Sequence, residues 1–121
     1  MNTKYFVPFE SAKQLKEKGL SQYRDMFYNE FGRLCDWSNI GNIDKMLGHF
    51  YAAPTYHEVV DWLEEKGMCI ICYAPTIRQP NRRYKASVFI DNTIDWRICN
   101  TTYPTREEAL NAAILKALEM I

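Results

Sequence analysis

This chain has no surplus of either charge: 15 Lys and Arg balance 15 Asp and Glu, with only two His beside them. A zero net charge creates no global field that would draw polyanions or membrane surfaces, so any such attraction has to come from local clustering. Long apolar runs are also missing. The longest uncharged one, Met68 to Ala74, is a strand's length, against the ~20 residues of a membrane helix. No apolar stretch follows Lys4 in Tyr5-Phe6-Val7-Pro8-Phe9, so a secretory signal is not expected. These absences lead us to expect a soluble, cytoplasmic protein with no membrane partner, whose four cysteines are reduced thiols.

Familiar catalytic signatures are absent as well. There is no glycine-rich phosphate loop, nucleophile elbow or metalloprotease helix, and we expect no enzyme and no cofactor. His57 and Asp61 share a helix face at i, i+4 with Glu58 beside them, which reads as a solvated charge pair on the polar side of an amphipathic helix. Cys69-Ile70-Ile71-Cys72 has the spacing of a metal or redox pair. It lies in a run that reads as extended, where residues three apart point to opposite faces and cannot chelate together. Cys35, Cys99, His49 and His57 add no paired ligand spacing, so no metal is expected.

What is present is a pair of similar helix starts, Pro54-Thr55-Tyr56-His57-Glu58 and Pro104-Thr105-Arg106-Glu107-Glu108. In each, a threonine oxygen can accept from an orphan N–H three residues on, where a glutamate can bond back. Tyr56, Val59, Val60 and Leu63 then recur at helical spacing, and Gly67 closes the helix. Ala109, Leu110, Ala113, Ile114, Ala117, Leu118 and Ile121 form a broad apolar stripe whose small alanines allow close approach to a sheet.

Between these helices lie three β-prone runs, Met68 to Ala74, Arg83 to Ile90 and Asp95 to Asn100, with Pro75 to Asn81 as a longer loop and Asp91-Asn92-Thr93 as a tight one. Short connections imply antiparallel neighbours. The expected fold class is therefore α+β: a three-stranded meander with helices before and after it, packed on one face. Ile70, Cys72, Tyr84, Ala86, Val88, Ile90, Trp96 and Ile98 are expected to face the helices. In the N-terminal part, Phe9, Ala12 and Leu15 mark a short helix after Pro8 that ends at Gly19, with Leu20 folding back. Tyr23 to Asn29 and Arg33 to Trp37 flank a hairpin turn containing Gly32. Residues 38–53 read mostly as loop, with a helical turn around Asp44 to His49. We expect one domain over 1–121, its αβββα core at 54–121 and an extension at 1–53.

Charge is unevenly placed along the core. Arg78, Arg82, Arg83, Lys85, Arg97 and Arg106 are opposed between 76 and 106 only by Asp91 and Asp95, whereas the helix from Thr55 carries Glu58, Asp61, Glu64 and Glu65 against Lys66. Strand alternation would set Tyr73, Lys85, Phe89 and Arg97 on the face away from the helices, a set suited to stacking bases and meeting phosphates. Cover of the same face by the N-terminal helix and hairpin is the competing expectation.

Helix, meander, helix is also the order of double-stranded RNA-binding domains, and Ala109, Ala113, Ala117 and Leu118 resemble the apolar spacing of that family's last helix. That family meets phosphates with lysines at the start of this helix. Glu107 and Leu110 stand at two of those positions, leaving only Arg106, so duplex binding in that mode is not expected. A broader resemblance rests on the segment Glu10-Ser11-Ala12-Lys13-Gln14-Leu15-Lys16-Glu17-Lys18-Gly19, on Ala53-Pro54-Thr55-Tyr56 running into Asp61-Trp62-Leu63, and on Glu107-Glu108-Ala109-Leu110 running into Ala117-Leu118. These resemble small proteins of gut Bacteroidetes and their phages that have no assigned activity, which implies a prophage or mobile-element accessory protein.

Two functional expectations follow. The first is a noncatalytic protein-interaction module in which Trp62, Tyr103 and Trp37 contact a protein partner or a second copy, aromatic anchors being usual at such interfaces. The alternative is nucleic-acid binding through Arg78, Arg82, Arg83, Lys85 and Arg97.

Overall fold

Three α-helices, a 3-10 turn at Thr3–Tyr5 and two separate three-stranded antiparallel sheets are formed by the described residues of a computed structural model, which are 3–22, 26–36, 50–76, 82–90, 96–98 and 101–121, with 3, 75, 76 and 96–98 described by their backbone. The chain divides into two compact units, Met1–Thr55 and Tyr56–Ile121, each with its own sheet. No helix among the described residues is long and apolar enough to cross a membrane.

In the first unit, α1 (Phe9–Glu17) follows Pro8 and buries Ser11, Ala12 and Leu15. Its end forms a two-bond lock: Leu20 N–H donates to the Leu15 carbonyl at 3.0 Å and Gly19 N–H to that of Lys16 at 3.2 Å. Gly19 has φ +96°, which a residue without Cβ adopts at little cost, and Leu20 folds back to 3% exposure. Next come β1 (Met26–Tyr28) and β2 (Leu34–Asp36), the expected hairpin, with Phe27 opposite Cys35. Asn29 builds its turn by accepting from the N–H groups of Phe31 and Arg33 with its side-chain oxygen at 2.9 and 3.0 Å.

A strand not anticipated from the sequence, β3 (Tyr51–Ala52), pairs with the other edge of β1 inside the stretch expected to be loop. Gln22 ties it in place, accepting from Ala52 N–H at 2.8 Å while donating to the Leu20 carbonyl at 2.9 Å. Lys16 reaches from α1 to the Phe50 carbonyl at 2.8 Å, its ammonium about equally close to the Phe50 and Tyr51 rings. The expected helical turn at Asp44 to His49 lies outside the described residues.

In the second unit, α2 (Tyr56–Glu65) starts immediately after Thr55 and closes at Gly67, whose φ is +85°. α3 (Arg106–Glu119) is capped as the sequence implies: Thr105 is extended, at φ −128°, and its hydroxyl oxygen accepts from Glu108 N–H at 3.2 Å. Tyr56, Val59 and Leu63 of α2 and Ala109, Ala113, Ile114, Ala117 and Leu118 of α3 are buried. Full burial of a side chain such as Leu63 or Ile114 stabilises by roughly 1.5–3 kcal/mol. Ile121 departs from the expected stripe. The helix stops at Glu119, and Ile121 stays 43% exposed.

The sheet of this unit contains β4 (Met68–Thr76), β5 (Arg83–Ile90) and β6 (Trp96–Ile98) in that order. α2 packs on β4, and α3 packs on β4, β5 and α2. The buried row is Met68 and Ile70 on β4 with Ala86 and Val88 on β5. The sheet is not a clean three-strand meander: of the expected Asp95 to Asn100 strand the described residues form Trp96–Ile98, and a separate bridge lies beyond it, in which Tyr84 and Tyr103 exchange N–H···O bonds of 2.8 and 2.9 Å. The Asp91-Asn92-Thr93 turn lies outside the described residues.

Register corrects the expected faces of β6. Arg97 stands opposite Val88, in the row of Ile70, while Trp96 stands opposite Phe89 and Ile98 opposite Ser87. The sequence pattern set Trp96 and Ile98 with the helix-facing residues and Arg97 with the outer ones. One residue's difference in loop phase exchanges every row, and the connection between β5 and β6 carries no apolar pattern that would set that phase.

Candidate functional site

The second sheet presents an outer row of Cys69, Ile71 and Tyr73 on β4, standing opposite Phe89, Ser87 and Lys85 on β5. Ile71 and Tyr73 are 46% and 43% exposed, whereas Met68 and Ile70 in the alternate positions are buried. No charged residue occurs in β4. Among the described residues this strand is hydrogen-bonded on one side only, to β5, so its other edge carries an unpaired row of backbone donors and acceptors. Its ladder is regular from Met68 to Tyr73 and shifts register between Tyr73 and Thr76, around Pro75.

The opposite character appears where β5 begins. The guanidinium carbons of Arg82 and Arg106 both lie 5.6 Å from the centroid of the Tyr84 ring. Both arginines are exposed, and among the described residues neither has a carboxylate oxygen within 4.0 Å. Arg83 is placed differently: its Nε donates to the Thr102 hydroxyl at 3.1 Å and its Nη2 to the Thr102 carbonyl at 2.8 Å, so most of its fork braces the chain ahead of α3. Lys85 is half-buried in the outer row, opposite Tyr73.

Of the five basic residues chosen from sequence, Arg82 thus joins the Tyr84 cluster, Arg83 acts as a strut and Lys85 lies in the outer row. Arg97 has the Val88 register position, and Arg78 lies outside the described residues. Arg106 belongs with Arg82: the sequence counts it among the basic residues of 76–106 but not among the five binding candidates, because it meets Tyr84 through a nonlocal pairing.

The aromatic anchors fare unequally. Trp62 is half-buried on α2 with the Lys66 ammonium 4.7 Å above its ring. Tyr103 is part of the sheet through its bonds to Tyr84, which makes it a structural position before it is a contact. Trp37 lies outside the described residues.

Cys69 and Cys72 sit in an extended strand, in alternate rows and in unlike surroundings. Burial, the Glu64 charge and a long contact of 3.9 Å to the Glu64 carboxylate all raise the Cys69 thiol above its ordinary value. Burial raises Cys72 too, the positive charge of Arg106 working against it and Glu107 with it. Both thiols are therefore poorer nucleophiles near neutrality than a free cysteine. His57 and Asp61 pair at 3.6 Å with side chains 87% and 59% exposed, a solvated contact on the surface of α2. No group of three or more metal-ligating side chains occurs among the described residues.

Compared with known protein families, with curated proteins and with solved structures, the chain gives no match.

Proposed function

We propose that the protein is a small noncatalytic interaction module, an accessory protein of the mobile-element kind, and that it binds through the β4 side of its second sheet. One observation carries this: an uncharged edge strand that leaves Ile71 and Tyr73 nearly half exposed beside a hydrogen-bonding edge that is open among the described residues. Strand edges of this kind accept an added strand, the main chain supplying affinity and the alternating side chains selectivity. The test compares the wild type with an Ile71→Thr/Tyr73→Thr variant in quantitative capture and self-association assays, with circular dichroism confirming equal folding. Loss of binding only in the variant supports the face. A variant that binds everything the wild type binds removes it.

A second reading, nucleic-acid binding, is favoured by the two guanidiniums gathered on Tyr84 without a carboxylate partner among the described residues. The helix, meander, helix order shared with double-stranded RNA-binding domains lends it nothing, because topology alone carries no function. Labelled single strand and duplex titrated at rising salt decide it: Arg82→Ala with Arg106→Ala should flatten the salt dependence by about one phosphate contact per arginine. Absence of binding at low salt leaves the interaction module alone.

A further inference from the structure

We propose that β4 is a self-pairing edge: two copies of the chain join their β4 strands antiparallel about a two-fold axis at Ile71, making their sheets continuous. This rests on the reading that the β4 side is the binding face, and it names the occupant as a second copy.

Edge strands are normally kept from pairing by shortness, lysines, prolines or bulges. β4 has nine residues and no charge, and its only guards, Pro75 and the shift after Tyr73, are both near its C-terminal end. Met68 to Tyr73 is left regular and unguarded. A charged partner segment would find no complementary charge there. An uncharged strand, in contrast, can oppose its own copy with no like charges across the ladder.

Register narrows the arrangement further. An axis normal to the sheet maps the outer row onto itself, so Cys69, Ile71 and Tyr73 must pair among themselves. Centring on Ile71 sets Ile71 against Ile71 of the second copy and Tyr73 against its Cys69, with Pro75 outside the ladder. Centring on Cys72 would bring Pro75, which has no N–H to donate, opposite Cys69. The first arrangement keeps Cys69 to Tyr73 of the regular stretch paired and gives both exposed side chains, Ile71 and Tyr73, an apolar neighbour.

Sedimentation of the wild type over a wide concentration range should show a monomer–dimer equilibrium, and Ile71→Thr should weaken it by up to about fivefold, the loss of a central cross-strand apolar pair. In a background with serine at positions 35, 69, 72 and 99, Ile71→Cys should form a disulfide-linked dimer under mild oxidation, since ladder partners stand within disulfide reach. Tyr73→Cys, whose two copies fall at opposite ends of the ladder, should not. A wild type monomeric at every concentration, an Ile71→Thr variant that dimerises equally well, or cross-linking through Tyr73→Cys overturns the pairing. A monomer that still holds a different protein through Ile71 and Tyr73 removes the second copy and leaves the binding face standing; a monomer that holds nothing removes both.

Discussion

A Cβ placed on Gly32 would lie 2.9 Å from the Phe9 ring, whose centroid is 5.6 Å from those of both Tyr28 and Tyr51. Gly32 also has φ +82°, so the hairpin turn depends on glycine twice, for conformation and for space. Gly19 separates the two effects, since at φ +96° it has nothing among the described residues within 4 Å of a built Cβ. Gly19→Ala should destabilise by roughly 1–2 kcal/mol from backbone conformation alone. Gly32→Ala should exceed it by about 1 kcal/mol, the cost of tilting Phe9 off its rotamer. Urea titration of both variants measures the difference.

Tyr28 donates its hydroxyl hydrogen to the Val7 carbonyl and is 8% exposed. Tyr28→Phe should cost about 1 kcal/mol near neutral pH, the net worth of a buried hydrogen bond. Burial raises the phenol above its ordinary value of 10.0, so the folded state favours the protonated form. That contribution is fully present below the unfolded value and is lost as pH rises through the folded one. The stability gap between wild type and Tyr28→Phe should therefore narrow in the alkaline range above pH 10, as urea midpoints measured across pH will show.

Thr105→Ala should destabilise by about 1 kcal/mol, because the Glu108 N–H loses its acceptor at the start of α3. Thr105→Asp should retain most of the stability, since its carboxylate can accept the same bond. Thermal unfolding of the two variants distinguishes loss of the cap from a general intolerance of substitution at this position.

Leu63→Ala, at a fully buried site, should cost about 2–5 kcal/mol through a cavity that neighbours fill only in part. His57→Ala, on the same helix with its side chain 87% exposed, should stay within about 0.5 kcal/mol of wild type. Denaturant midpoints for this pair also test the solvated reading of the His57–Asp61 contact.

Features built from neighbours in sequence were legible before any coordinates. The Thr105 cap, the Gly19–Leu20 lock, the Asn29 to Arg33 turn and the alternation of β4 and β5 each depend on a few adjacent residues. Features made by distant partners were not. β3 is two residues long and exists only because β1 offers it an edge. The phase of β6 is inherited from β5 across a connection without apolar pattern, so Arg97 was set in the wrong row. The meeting of Arg82 and Arg106 over Tyr84 needs the Tyr84–Tyr103 bridge, which no local signal announces. Of the proposed binding face, both the lack of charge in β4 and its edge position as first strand of a meander were readable, while the register shift after Tyr73 came only with the structure.

Each sheet closes its ladder within one stretch of chain, β1 to β3 before Tyr56 and β4 to β6 after it. Strands of two and three residues hold their alignment by few bonds, whereas β4 and β5 hold theirs over most of their length. Substitutions in β1, β2 or β3 should therefore shift strand pairing more easily than substitutions in β4 or β5. Over evolutionary time the N-terminal half should vary faster in strand pairing, while the C-terminal half keeps one.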